Sequence, residues 1–190
     1  MDIMNFVGLG IVGVMLIYLI TIYNNLVALK NSVKKNWSNI DVLLKQRNSE
    51  LPKLIETCKQ YMEYEKDTLV KVVEARSAAM SAQESGNMAA LGQAETAMRL
   101  GLGKLFLLAE DYPDLKANDS FQQLQGRISD LENAISDRRE LYNESVNLNN
   151  IRIEQFPDVL VARIFNFSAF DLLKFSEEEL KDVDVKGLFN

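Results

Sequence analysis

Any catalysis by this chain would have to proceed without histidine, because the sequence contains none. The commonest general base and metal ligand is therefore missing. One cysteine is present, Cys58. A thiol attacks as the thiolate, and no imidazole is available to take its proton. Cys58 also falls on an apolar helical seam, where a core thiol is the simpler reading. Lysine–serine or paired-carboxylate chemistry stays open on composition, but the acidic residues are scattered as on solvated helix faces. The densest acidic cluster, Glu177-Glu178-Glu179, suits weak cation binding or a solvated tail. Gly8-Leu9-Gly10-Ile11-Val12-Gly13 matches G-x-G-x-x-G. That fingerprint needs a strand before it and a helix after it, and this copy lies inside an uninterrupted apolar run. Gly8, Gly10 and Gly13 are better suited to helix–helix contact in lipid, where small residues let backbones approach.

Four further polar residues fall where apolar ones are expected: Arg47 and Glu65 on the seam, Arg139 (or its neighbour Arg138) and Asn149 in a later helix. Buried charges need partners. Arg47 or Arg139 can pair across a bundle with Glu65 or Glu132 and fix its register. Alternatively, both arginines reach the surface on their long stems.

The element that dominates the chain is its beginning. No charged residue occurs from Ile3 to Leu29, and Met4–Tyr23 is almost wholly apolar. A hydrocarbon core about 30 Å thick needs about 20 such residues in a helix. A cleaved signal peptide would have a basic flank and a small-residue cleavage site. Here Asp2 precedes the run and Thr21-Ile22-Tyr23-Asn24-Asn25 ends it, so a retained anchor is expected. Lys30, Lys34 and Lys35 follow at once. Basic flanks stay on the cytoplasmic side, which places the N-terminus outside and residues 30–190 in the cytoplasm. The same three lysines can also recruit acidic lipids.

With 47% hydrophobic and 25% charged residues, the remainder is not disordered by composition. A net charge of −6 argues against general nucleic-acid binding. Three prolines and nine glycines favour long helices. Val33, Trp37, Ile40, Leu44, Arg47, Leu51, Leu54, Cys58, Tyr61, Glu65, Thr68, Val72, Ala75 and Ala79 alternate in steps of three and four, which is a heptad seam. The seam keeps its phase through Pro52, so either one kinked helix or a hairpin near Asn48-Ser49 is required. With no glycine there to cap a helix, the kinked helix is favoured, running to Gly86-Asn87. A second helix is expected over Met88–Asp111, ended by Pro113 and rich in small residues that suit close helix contact. A third, capped at Asn118, Asp119 or Ser120, runs to about Gln155. Beyond Pro157 lie a short apolar segment and a capping box at Ser176. Phe156, Phe165, Phe167, Phe170, Phe175 and Phe189 could cover the bundle, touch the membrane or join subunits. The expected fold is all-α: an antiparallel bundle of three to four long helices preceded by a single transmembrane helix. Its parts are an anchor at 1–29 (span about 4–23), a cytoplasmic bundle at 30–156, and a Phe-rich short helix with an acidic tail at 157–190.

These residues resemble the LemA family of bacterial proteins. The resemblance covers nearly the whole chain. It is carried by Tyr23-Asn24-Asn25-Leu26-Val27, Trp37-Ser38-Asn39-Ile40-Asp41-Val42, Leu51-Pro52-Lys53-Leu54-Ile55-Glu56-Thr57 and Glu74-Ala75-Arg76. Glu110-Asp111-Tyr112-Pro113-Asp114-Leu115-Lys116-Ala117-Asn118, Tyr142-Asn143-Glu144-Ser145-Val146 and Phe156-Pro157 with Ala162 and Phe165 add to it. Asn147-Leu148-Asn149-Asn150 departs from the aromatic usual in the family before its second asparagine. The resemblance implies one N-terminal membrane helix in the bacterial inner membrane and a cytoplasmic helical bundle. It implies no enzymatic activity, no established catalytic residues and no cofactor, and an association with membrane organisation that includes magnetosome membranes. The expected function is a non-enzymatic scaffold partnered with the lipid bilayer and with further copies of itself. The alternative is an adaptor presenting its bundle to another membrane protein, such as a protease or sensor.

Overall fold

The computed structural model describes residues 3–175, with side chains from Phe6 onward. The Glu177–Glu179 cluster, the capping box at Ser176 and Phe189 lie outside the described residues. Among the described residues six helices follow one another: α1 (Ile3–Lys59), α2 (Lys66–Ser85), α3 (Met88–Ala109), α4 (Pro113–Lys116), α5 (Asp119–Glu154) and α6 (Asp158–Ile164). No strand occurs among the described residues. The fold is a helical bundle with one long apolar N-terminal helix. The chain divides into two compact units, both built on α1 and α5.

One unit contains Ile40–Arg139 and, among the described residues, 172–175. Leu51, Leu54, Cys58, Val72, Met98, Leu102, Leu105, Phe121 and Ile128 form its apolar core. Seam residues Ile40, Leu44, Arg47, Leu51, Leu54, Cys58, Thr68, Val72, Ala75 and Ala79 are all buried, so the heptad pattern marks the core face as expected. α1 continues through Pro52, whose ring is exposed. The chain reverses at Gln60–Glu65, well before Gly86, and this corrects the expectation of one helix running that far. No glycine or proline marks the reversal. Met62 accomplishes it by burying its side chain while its N–H donates to the Cys58 carbonyl at 2.8 Å.

α2 and α3 form a hairpin. Gly86 takes the left-handed conformation (φ 68°) and closes α2 on the Ala82 and Gln83 carbonyls. Asn87 Oδ1 then accepts the Ala90 N–H at 3.0 Å and caps α3. Along the hairpin Gly101 admits Val72: a Cβ there would lie 3.1 Å from Val72 Cγ2. Pro113 does not end α3, which stops at Ala109. It opens α4 in the first turn, where a missing N–H is harmless. Asn118 Oδ1 caps α5 by accepting the Phe121 N–H at 3.1 Å. Residues 172–175 cross α3 at Gly92, where a Cβ would sit 1.8 Å from the Lys174 carbonyl oxygen. Leu173 is buried there, and the Arg139 guanidinium stacks 3.8 Å over the Phe175 ring.

The other unit contains α1 up to Asn39 and Glu140–Asp171. Ile22 and Leu26 of α1 are buried against Val161 and Ala162 of α6. Tyr23 meets the rings of Phe165 and Phe167 at 4.7 and 5.9 Å. Half-buried Trp37 packs on Tyr142 with ring centroids 5.7 Å apart. After α6 the chain runs back along α5 without regular structure, so side chains must satisfy its backbone. Asn149 Nδ2 donates to the Ser168 carbonyl (3.3 Å). Asn150 both donates to the Phe170 carbonyl (2.9 Å) and accepts its N–H (3.0 Å). The Tyr142 hydroxyl donates to the Asp171 carbonyl (2.9 Å).

Candidate functional site

Arg47 lies on the buried face of α1 and is itself fully buried. Its guanidinium grips Glu95 of α3 through both terminal nitrogens (2.8 and 2.6 Å) and Glu132 of α5 through Nη1 (2.7 Å). Burial alone would pull the arginine's pKa down. The two carboxylates outweigh that effect and hold it above its ordinary value, so the cation is permanent. Nε makes no hydrogen bond. Arg47–Glu132 is one of the pairings foreseen. Glu95 is not, although it stands four residues after Leu91 and three before Met98, squarely in the apolar stripe of α3. Arg139 lies over Phe175, and Glu65 falls in the reversal before α2, where its side chain makes no cap hydrogen bond. The group fits a structural device that sets register among three helices, because a general acid or base needs access to substrate and Glu95 is only 2% exposed.

Cys58 is buried in the same core, and burial pushes its thiol up to about 12. The folded protein should therefore resist maleimide at pH 8 and react fully once denatured, as read by intact mass. The raised pKa also has a sign in stability. Its contribution is complete below the unfolded thiol's value of 9.0 and is lost as pH climbs towards 12. Among the described residues no group of three or more Cys, Asp or Glu is placed to hold a metal ion.

Large apolar side chains also face outward. α1 contains the one described helical stretch long and apolar enough to cross a membrane, making it a candidate span. Its large side chains from Phe6 to Ile20 are exposed. Gly8, Gly10 and Gly13 lie on this surface, and an added Cβ at any of them meets nothing within 4 Å. Among the described residues the packing thus makes no use of these glycines. Lys30 Nζ sits 5.7 Å over the Phe167 ring, while Lys34 and Lys35 are exposed. In the other unit Val70, Val73, Leu100 and Leu107 are exposed on α2 and α3. An open groove of about 480 Å³ runs between those helices over Ala75, Ala78, Ala94, Ala97 and Gly101.

A sequence model of the LemA family matches residues 36–186. Magnetosome protein MamQ 2 of Paramagnetospirillum magneticum is 21% identical over 186 residues, covering 86% of this chain and 68% of that protein. MamQ 1 of the same organism matches to the same extent. Protein LemA of Metamycoplasma hominis is 27% identical over 169 residues, covering 88% of this chain and 75% of that protein.

Proposed function

The chain belongs to the LemA family, and from that premise we propose that it is a non-enzymatic scaffold, anchored in the bacterial inner membrane by α1, that self-associates through its helices to organise that membrane. The observation that carries this reading is the uncovered apolar surface of α1 from Phe6 to Ile20. In water such a patch would be an aggregation hazard; in a bilayer it is an anchor. Lys30, Lys34 and Lys35 set the orientation, with the N-terminus outside and the helical domain in the cytoplasm. Two features support contact between copies: the open glycine positions in the anchor and the small-residue groove between α2 and α3, beside exposed Leu100. Small residues let helix backbones come close; in lipid the close packing itself drives the contact, and at the groove, in water, burial of the surrounding apolar area drives it. The likeness to magnetosome proteins supports a role in organising membrane.

Crosslinking of the full chain in native membranes tests this directly. Dimers and higher species are expected, and Ala97→Arg, an exposed change in the groove, should reduce them several-fold without loss of helix content. A monomer throughout, with no crosslinked species, overturns the scaffold. A stoichiometric foreign protein captured in place of a second copy would establish the adaptor instead.

A further inference from the structure

α6 has two apolar faces, and among the described residues only one of them is covered. Val161 and Ala162 cover Ile22 and Leu26 of α1. Phe156 precedes the helix, Leu160 and Ile164, spaced by four, share its other face, and Phe165 follows it. Their relative exposures are 77%, 52%, 73% and 57%. Such a face on a short surface helix strands apolar area in water unless something covers it.

The position of this face identifies its cover. Ile22 and Leu26, which seat α6, bracket Tyr23, the last residue of the apolar run Met4–Tyr23. The Phe165 ring lies 4.7 Å from the Tyr23 ring. α6 is therefore held level with the end of the candidate span, where its open face continues the exposed apolar surface of α1. Tyrosine and other aromatics at the end of a span sit at headgroup depth. Basic side chains border the same place: Lys30 over the Phe167 ring, Arg163 exposed at the end of α6, and Arg152, which pairs with Asp158. An apolar face bordered by cations is the pattern of a helix lying in the interface of an anionic leaflet. We propose that α6, with the flanking Phe156 and Phe165, is a membrane-interface collar: its Leu160/Ile164 face dips into the boundary between headgroups and acyl chains, while Val161 and Ala162 hold it to the emerging anchor. The chain thus has a second membrane contact, far from the span in sequence. The collar rests on the reading that α1 spans a membrane.

Spin labels separate the collar from that reading. In a Cys58→Ala background, single cysteines replace Leu160, Ile164, Met15 (in the span) or Leu107 (exposed on α3). Each full-length variant is labelled and reconstituted in phosphatidylethanolamine–phosphatidylglycerol vesicles, with helix content checked by circular dichroism. Oxygen concentrates in lipid and a nickel chelate in water, so the ratio of collision rates reports depth. The expected result is a lipid-like ratio at Met15, Leu160 and Ile164, shallower at the latter two, and a water-like ratio at Leu107. A lipid-like Met15 with water-like Leu160 and Ile164 overturns the collar and leaves the anchor standing. Labels at Leu160 and Ile164 shielded from both reagents and broadened by a neighbouring label mean that a second copy covers the face, which also overturns it. A water-like Met15 removes the anchor, and the collar falls with it.

Discussion

Arg47→Leu should lower the unfolding free energy by roughly 3–5 kcal/mol, the usual cost of removing one partner from a buried ion pair. The reason is what remains. Glu95 is 2% exposed and Glu132 15%, and neither can regain the water it gave up on folding. A carboxylate stranded there must ionise at a large desolvation cost or take up a proton. Urea unfolding of the full chain in detergent, followed by helix content, measures the loss. The matching test is Arg47→Met with Glu95→Met and Glu132→Leu together. Exchanging a buried charge group for packed apolar residues is commonly neutral or stabilising by about 1–4 kcal/mol, so the triple variant should recover most or all of the deficit. A single variant losing less than about 1 kcal/mol, within the range of an exposed pair, would mean that the three helices do not depend on Arg47.

Gly92→Ala should destabilise, although alanine in a helix interior ordinarily improves on glycine by up to about 1 kcal/mol. The added Cβ would meet the Lys174 carbonyl oxygen at 1.8 Å, so residues 172–175 must lift from α3. Lifting them exposes Leu173, now 1% exposed, and losing that burial costs roughly 1.5–3 kcal/mol. Gly103→Ala is the control: it lies in the same helix with nothing within 4 Å of an added Cβ, and should show only the gain. Thermal unfolding gives the two signs. Trypsin gives the mechanism, since cleavage after Lys174 should accelerate in Gly92→Ala alone. Equal behaviour of the two variants would show that the crossing segment contributes nothing to stability.

What the sequence discloses depends on periodicity. Helix α3 and most of α5 are legible because Leu91, Met98, Leu102 and Leu105, then Phe121, Ile128 and Ile135, repeat at helical spacing, and because Asn87 and Asn118 are recognisable caps. The reversal at Gln60–Glu65 is hidden for the same reason. Tyr61, Thr68 and Val72 stay in phase with Leu54 and Cys58 across it, and Met62 stands where a glycine would have announced a turn. Pro52, the conspicuous breaker, leaves α1 unbroken. Half of the charge group is legible: a lone arginine on an apolar seam demands a partner, and Glu132 was within reach. Glu95 was obscured by the small residues around it, although its place in the Leu91–Met98 stripe was the available signal. The course of 165–175 has no period at all. It is fixed by side chains of α5, Tyr142, Asn149 and Asn150, reaching its backbone, and hydrogen bonds of that kind leave no pattern in the segment they hold.

The three-helix charge group also has a history in time. Arg47 precedes Glu95 by 48 residues and Glu132 by 85. At about 5–20 residues per second, synthesis leaves Arg47 without its second carboxylate for on the order of ten seconds after it is made. Throughout that interval the apolar stretch before it is already complete and can enter a bilayer. Closure of the helices around Arg47 is therefore a late event in the birth of the protein, completed well after the apolar first segment has been made.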